Sequence, residues 1–251
     1  MEYGFMKNGL LKSLMVFAVV FTVIGCGGSD SNTGNGDGPT SELPINVKEA
    51  IDGPSSTLTQ DLKDSITYMY SEEGLAYDVY MNIYKIQAVQ QLQKIAENAE
   101  IRHIDVVNEL AIKYDLNMTQ YPDTDVPYSV EGIGDGNYPV DTVQYLYDLL
   151  YNKGIQSEKD ALEVGCMVEV VDIDDLDKFI GFAEAVNAAD VLTVFNFLRD
   201  GSYSHYWAFD EGLRNMGVAD GCCSLDPALG HDFCHPEYPK EEKGNGGKGN
   251  K

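Results

Sequence analysis

Apolar residues recur at alternating steps of four and three between Leu58 and Tyr84, which is the spacing of the buried face of an α-helix. The positions on this face are Leu62, Ile66, Met69, Glu73, Ala76, Tyr80 and Ile83. Glu73 interrupts an otherwise apolar line, and a buried carboxylate is destabilising unless it is paired or binds a metal ion. The segment is therefore predicted to be a helix whose buried face carries one acid that needs a partner.

The next segment, residues 88–114, repeats the pattern with two polar residues in the apolar line. Its inward positions are Val89, Leu92, Ala96, Glu100, His103, Val107, Leu110 and Tyr114. Glu100 and His103 are three residues apart and so share one face of a helix. If the chain turns near Gln87, Glu73 stands fourteen residues before the turn and Glu100 thirteen after it. Antiparallel packing then places the two acids opposite each other.

Two more long helices are predicted after residues 115–139, a Pro-, Gly-, Asp- and Tyr-rich segment that should cross the surface. A short helix, Val140–Tyr151, comes first, and the third long helix starts near Ser157. The inward positions of the third helix are Leu162, Gly165, Glu169, Asp172 and Leu176. Those of the fourth are Val191, Phe195, Leu198, Ser202, His205, Phe209, Gly212 and Met216. Each of the four helices thus carries an ionisable side chain in the middle of its buried face, which predicts a metal site.

Each of these residues also has an ordinary structural explanation. Glu73 could be a core acid that accepts hydrogen bonds from tyrosines, and His103 and His205 could be core histidines with satisfied ring nitrogens. The run Asp172–Asp175 resembles a helix start, so that it and Glu169 could face water. The coincidence of several such residues at one depth favours the metal site.

Several stretches resemble a known family. They are Glu73-x6-Tyr80, Glu100-x-x-His103, and the longer runs at residues 72–80, 165–176 and 201–205. The first two are similar to a half-site of ferritin-like and rubrerythrin-like proteins, and the longer runs resemble the ferritin-like family named domain of unknown function 2202. The resemblance implies an all-α, ferritin-like four-helix bundle: two antiparallel helix hairpins joined by a long crossover, with one or two short extra helices.

The resemblance also implies a set of metal ligands. By position they are Glu73, Glu100, His103, Glu169 and His205. Glu100 would bridge two ions of iron or manganese, and Tyr80 would be a hydrogen-bonding or redox-active neighbour of the ligands. The wider family has a second Glu-x-x-His on its fourth helix, but Ser202 stands at that glutamate position here. Asp172 could supply the missing carboxylate; otherwise the second ion is weakly held, or one ion binds.

Two functions follow from this interpretation. The first is a metal-binding envelope protein that oxidises Fe(II) or reduces peroxide or oxygen, a ferroxidase- or peroxidase-type oxidoreductase with an unidentified electron donor. The second is a non-catalytic, lipid-tethered helical scaffold or binding module whose polar core is held by hydrogen bonds alone. The sequence leaves open whether two copies form a homodimer.

The first residues have the layout of an export signal. Lys7 and Lys12 precede an apolar run, residues 14–24, that is too short to cross a bilayer, which needs about 20 residues. The run ends at a sequence that resembles a bacterial lipobox, with Cys26 as the lipidated residue. The glycines after Cys26 point, by resemblance, to the outer membrane, facing the periplasm or the exterior, with the lipid as the membrane contact. The predicted order is signal peptide 1–25, lipidated Cys and disordered linker 26–56, ferritin-like domain 57–218, and a Cys/His-containing loop with a disordered Gly/Lys-rich tail 219–251.

Charge and cysteines complete the prediction. The net charge of −24 disfavours nucleic acid and anionic headgroups as partners and favours cations. In an oxidising setting Cys234 should bridge to Cys222 or Cys223, while Cys166 should be a small buried apolar residue. Alternatively the C-terminal cysteines could bind zinc with His231 and His235.

Overall fold

The computed structural model describes residues 43–118, 135–227 and 231–240, and all regular secondary structure in these ranges is helical, which confirms the predicted all-α class. The helices are α1 (Ile45–Asp52), α2 (Gln60–Gln87), α3 (Gln90–Ile95), α4 (Ile101–Lys113), α5 (Asp141–Gly154), α6 (Glu158–Ala185) and α7 (Ala189–Asn215). A π-helical segment, Ala96–Glu100, joins α3 to α4, and a 3-10 helix, Gly221–Ser224, follows α7. The predicted signal peptide, Cys26 and residues 241–251 of the tail lie outside the described residues. Within those residues, each helix is either too short or too polar to cross a membrane.

The first hairpin turns at Ala88. Helix α2 begins where the side chain of Thr59 accepts a hydrogen bond from the backbone N–H of Leu62 at 3.2 Å. It ends where Ala88 adopts φ 55° and its backbone N–H donates to the carbonyl oxygen of Tyr84 at 2.8 Å. This left-handed conformation normally falls to glycine, because a Cβ atom makes it costly. The turn therefore lies one residue after the predicted position at Gln87, although the sequence there has neither glycine nor proline.

The helix that returns along α2 is not a regular α-helix throughout. Its middle, Ala96–Glu100, is a π-helix, in which hydrogen bonds span one residue more than in an α-helix. The π segment ends at Glu100, immediately before the turn that carries His103. The π segment therefore determines how far around the helix axis Glu100 and His103 lie from Leu92, which is in α3.

The second hairpin consists of α6 and α7. Ser157 caps α6, since its Oγ accepts a hydrogen bond from the backbone N–H of Asp160 at 3.0 Å. Helix α6 runs unbroken through Asp172, so the helix start suggested for Asp172–Asp175 does not exist. Ser202 donates to Asp172 across the pair, and Arg199 donates to Asp177. Higher numbers on α6 thus meet lower numbers on α7, and the two helices are antiparallel.

The linker predicted over residues 26–56 is wrong for its last part, because residues 45–52 form α1. Val47 is fully buried in the core cluster that includes residues of α7. The Nζ atom of Lys113 donates to the carbonyl oxygen of Ala50 at 2.8 Å and ties α1 to the end of α4. The Gly-, Ser- and Asn-rich composition of residues 27–44 suggested a disordered tether, and the predicted linker extended this to residue 56. Burial of Val47 against the other helices stabilises a short helix within that range.

The core is divided into two apolar clusters with a polar layer between them. On α2, one cluster ends at Tyr70 and the other begins at Leu75. On α7, one cluster ends at Leu198 and the other begins at Tyr206. The buried polar residues at this level are Glu73, Glu100, His103, Glu169, Asp172, Ser202 and His205. The ionisable residues predicted from the helical pattern therefore lie at one depth.

The four described cysteines form two disulfides, Cys166–Cys222 and Cys223–Cys234. The second is one of the two closures expected for Cys234. The first corrects the expectation for Cys166, which is not a free buried thiol but links α6 to the 3-10 helix. The zinc alternative is also wrong, because these sulfur atoms are bonded to each other and cannot act as thiolate ligands.

Candidate metal centre

The first group of candidate ligands comes from the hairpin of α2 and α4. The Nδ1 atom of His103 lies 3.1 Å from Oε2 of Glu73 and 3.2 Å from Oε2 of Glu100. All three side chains are buried. Their ligand atoms lie close enough to hold one metal ion.

The second group adds one residue from each helix of the other hairpin. The Nδ1 atom of His205, on α7, lies 3.1 Å from Oε1 of Glu100 and 3.4 Å from Oε2 of Glu169, on α6. These three residues also form a buried group that could hold an ion. Glu100 belongs to both groups, with Oε2 facing the first and Oε1 facing the second. The two imidazole rings lie 5.5 Å apart, centre to centre.

The donor atoms have the spacing of ligands around a metal ion, although in the first group Nδ1 of His103 and Oε2 of Glu73 also form a hydrogen bond at 3.1 Å. Two ligands that each lie about 2.1 Å from one ion are separated by roughly 3 Å, which is the spacing found in both groups. Oε1 of Glu100 and Nδ1 of His205 are at this distance, yet neither has a hydrogen-bond partner among the described residues. Oε1 of Glu73 is likewise buried without a partner in the same part of the chain. Buried polar atoms of this kind are rare unless an ion or water completes them.

Burial and mutual repulsion raise the pKa values of most acids in the layer. Burial raises the pKa of Glu73 well above its ordinary value, and the charges of Asp172 and Glu100 raise it further. Burial, then the charge of Glu169, raises the pKa of Asp172 to about 8. Burial also raises the pKa of Glu169, although His205 opposes the effect. The layer thus contains more negative charge than its histidines can balance.

Glu100 behaves differently because it lies between the two histidines. Burial acts to raise its pKa, but His205 and His103 outweigh burial and the pKa falls below the ordinary value. Burial acts to lower the pKa of His205, but Glu169 and Glu100 outweigh it and raise that pKa well above its ordinary value. A carboxylate that stays ionised between two imidazoles can serve as a bridging ligand.

Two predicted neighbours take supporting positions. The hydroxyl of Tyr80 donates to Oε1 of Glu169 at 2.5 Å, so Oε2 of Glu169 remains for the second group. Asp172 belongs to neither group; it accepts a hydrogen bond from Ser202, which also donates to the carbonyl oxygen of Leu198 at 3.1 Å. Asp172 was expected to supply a carboxylate in place of a missing glutamate. Ser202, which stands at that glutamate position, instead holds the carboxylate of Asp172 beside the two groups.

Two residues that contact His103, Gly201 and Phe197, were not predicted from the sequence as part of the site. A Cβ atom on Gly201 would come within 2.5 Å of Nε2 of His103, so the ring lies directly against the backbone of α7. Phe197 packs edge-on against the same ring with centres 5.6 Å apart. A glycine in the interior of a long helix is unfavourable by about 1 kcal/mol relative to alanine, and this was the available signal.

The structure brings together all five predicted ligands and leaves the histidines of the C-terminal loop elsewhere. His231 lies 3.5 Å from Asp174, and His235 contacts Glu237 and the backbone of Asp232. Neither belongs to a candidate metal group among the described residues.

Comparisons with known proteins give one family model and one similar protein that has a crystal structure. The family model described as "Uncharacterized protein domain (DUF2202)" matches residues 62–225, a range that contains every candidate ligand. The uncharacterized protein MJ0754 of Methanocaldococcus jannaschii is 35% identical over 164 residues, which are 65% of this chain and 81% of that protein. The crystal structure of hypothetical protein MJ0754 from Methanococcus jannaschii aligns with a TM-score of 0.56 at 33% identity, covering 66% of this chain and 86% of the other.

Proposed function

Because the chain belongs to the DUF2202 family, whose matched region contains the whole candidate site, we propose that it is a metal-binding protein with a ferritin-like four-helix architecture. Glu73, Glu100 and His103 hold one ion of iron or manganese. Glu100, Glu169 and His205 hold the second. The two antiparallel hairpins are the halves of the bundle, and each contributes ligands from both of its helices.

The observation that carries this proposal is the position of Glu100. Its two carboxylate oxygens face two different histidines, at 3.2 Å and 3.1 Å, in a layer closed off from solvent. A hydrogen-bonded polar core would satisfy these atoms with each other, but Oε1 of Glu100 and Nδ1 of His205 have no partner. Two ions, one beside each oxygen of Glu100, would give both oxygens a partner.

The donor set favours hard or borderline ions. Carboxylate oxygens with one imidazole nitrogen per group suit iron and manganese, and no thiolate in the described residues is free to select a softer metal. When bound, such a pair of ions supplies redox chemistry of the kind that oxidises Fe(II) or reduces peroxide or oxygen. The chain's own contribution is to orient Glu169 through Tyr80 and to exclude water with the two apolar clusters.

Export and lipid attachment form part of the proposed function. Residues 1–25 would direct the chain out of the cytoplasm, and Cys26 would anchor it to the outer membrane through a tether. The metal centre would then work in the cell envelope. A purified membrane fraction that lacks the protein, or an unmodified Cys26 in mass spectrometry, would contradict this part alone.

The decisive experiment is metal analysis of the purified full chain. The wild type should hold close to two ions per chain, Glu100→Gln should lose both, and Glu73→Gln should lose mainly the ion of the first group. Glu163→Gln is the matched control, since Glu163 is a buried acid on α6 that pairs with Lys153 and Lys159 away from the site. It should keep both ions.

The same preparation separates the proposal from the scaffold alternative. A metal protein should melt at a lower temperature after treatment with chelator and should consume peroxide or oxidise added Fe(II) when loaded. A chain without stoichiometric metal and with unchanged melting in chelator would be the scaffold.

A further inference from the structure

A line of carboxylates leads from the metal centre toward the surface along α6. Glu169, Asp172 and Asp175 follow each other at steps of three residues, with 2%, 5% and 8% of their surface exposed. The next residue at this spacing, Lys178, has a side chain that is 30% exposed, and its Nζ lies 3.6 Å from Oδ1 of Asp175. At a rise of about 1.5 Å per residue the three acids span roughly 9 Å. The line thus runs from the buried centre to the rim of the protein.

Helix α2 faces the outer part of this line with two polar residues. The hydroxyl of Tyr68 donates to Oδ2 of Asp175 at 3.2 Å. Glu72 interacts electrostatically with Asp175 and Asp172. Glu73, a member of the first metal group, interacts electrostatically with both Glu72 and Asp172, so the outer acids adjoin that group.

Two oxygen atoms along the line have no hydrogen-bond partner within residues 43–118, 135–227 and 231–240. They are Oδ1 of Asp172 and Oε2 of Glu72, and both are buried. The other oxygen of Asp172 accepts from Ser202, which fixes the carboxylate in place. A buried carboxylate oxygen without a partner is costly, and a cation is the ligand that relieves this cost at several acids together.

These acids are not arranged as a resident metal site. Among the described residues, the groups whose ligand atoms converge within 4.8 Å are the two of the metal centre. An ion beside Glu72, Asp172 and Asp175 would be bound by one or two carboxylates and would keep part of its water shell. Such an ion exchanges easily.

We propose that Glu72, Asp172 and Asp175 form a transit site through which partly hydrated divalent cations pass from the surface to the metal centre. This inference rests on the proposed function, because it needs a centre to fill. The acids concentrate cations at the rim, and Lys178 competes with the incoming ion for Asp175. The transit site acts on the rate of loading, whereas the five ligands determine how much metal is held.

The test measures the loading rate and the final amount of metal separately. The full chain is stripped with chelator and mixed with cobalt(II), whose visible absorption changes when protein ligands replace water. Asp175→Asn should slow loading about 3- to 10-fold and leave the final number of ions and the final spectrum unchanged. Asp177→Asn is the matched control: it removes the same charge from α6 at a side chain that is 51% exposed and paired with Arg199, and it should load at the wild-type rate.

A second variant, Lys178→Gln, tests the transit site even if Asp175→Asn does not fold. Lys178→Gln removes the competing ammonium and should load faster than the wild type. Equal rates for Asp175→Asn, Lys178→Gln and the control would overturn the transit site while leaving the metal centre intact. Loss of bound ions in Asp175→Asn would also overturn it, since Asp175 would then help to hold metal. A wild type that takes up no cobalt would instead overturn the proposed function.

Discussion

At the scale of single residues, the candidate centre depends on which atom of each side chain is left free. Tyr80 uses one oxygen of Glu169, and the other oxygen remains 3.4 Å from His205. Ser202 uses one oxygen of Asp172 and withdraws that acid from both groups. Ser202 therefore places an anchored acid, Asp172, beside the second group.

Gly201 offers a test at this scale in which two effects oppose each other. Gly201→Ala should raise the intrinsic stability of α7 by about 1 kcal/mol, because alanine is the better helix former. The new Cβ would lie 2.5 Å from Nε2 of His103, so the ring must shift and its Nδ1 atom loses its present position relative to Glu73 and Glu100. We expect the ion of the first group to be lost or weakened at least tenfold, with the second group retained.

The measurement is metal content together with the free energy of unfolding in chelator. Gly181→Ala is the control, since a Cβ on Gly181 in α6 would meet nothing within 4 Å. It should gain stability and keep both ions. Full retention of metal in Gly201→Ala would show that His103 is not held against α7.

At the scale of elements, the π-helical segment determines how Glu100 and His103 face the other helices. Its additional residue rotates everything that follows by about 100° relative to a regular α-helix. Deletion of Asn98, whose side chain donates to the carbonyl oxygen of Lys94 in the exposed part of the segment, should convert it to an α-helix. On the shortened α-helix Glu100 would stand seven residues after Leu92, about 20° from it around the helix axis, so Glu100 and His103 would keep the face that the π segment gives them.

We therefore expect the Asn98 deletion to keep its helical circular dichroism and both ions. Insertion of one alanine after Asn98 should instead turn Glu100 and His103 by about 100° and lose both ions, since Glu100 serves both groups. Asn98→Ala keeps the residue count and is the control, which should retain metal. Two ions in the insertion variant would mean that the rotation of Glu100 and His103 about the helix axis has no role in positioning the ligands.

At the scale of the whole molecule, bound metal and pH act on the same buried acids. The folded-state pKa of Asp172 is raised to about 8 by burial and Glu169, and that of Glu73 is raised well above its ordinary value. A raised carboxyl pKa favours the metal-free fold below the unfolded-state pKa, near 4, and that contribution is lost as pH rises through the folded-state value. Metal ions bind the ionised carboxylates, so metal binding must displace protons. Metal binding therefore becomes stronger as the pH rises.

The difference in melting temperature between the metal-loaded and the chelator-treated chain should therefore widen from pH 5 to pH 8. Thermal melts at several pH values measure it, and proton release on loading can be followed with a pH indicator. In Glu100→Gln the two curves should coincide at every pH. A difference that stays constant with pH in the wild type would contradict ionisation coupled to metal binding.

The position of the ionisable residues could be predicted from the sequence because helical periodicity is a local property. Apolar steps of four and three place Glu73, Glu100 and His103 on buried faces regardless of what packs against them. The hairpin position followed from counting residues between Glu73 and Glu100. That these residues bind metal stays a prediction, but their common depth needed nothing beyond the pattern.

Other features depended on contacts between distant residues. The composition of residues 45–52 gave no sign that Val47 docks against the bundle, and Ala88 gave no sign of a left-handed turn. The partner of Cys166 is 56 residues away, and helix packing brings Cys222 to it.

Helical spacing in the sequence predicts the four long helices and the residues of each that face the core, since both depend on positions along one helix. Which oxygen of Glu100 meets which histidine, and the pairing of Asp172 with Ser202, depend instead on how the helices pack against each other. The physical reason is that the rotation and offset of packed helices result from the sum of many side-chain contacts across the interface, which no single segment contains.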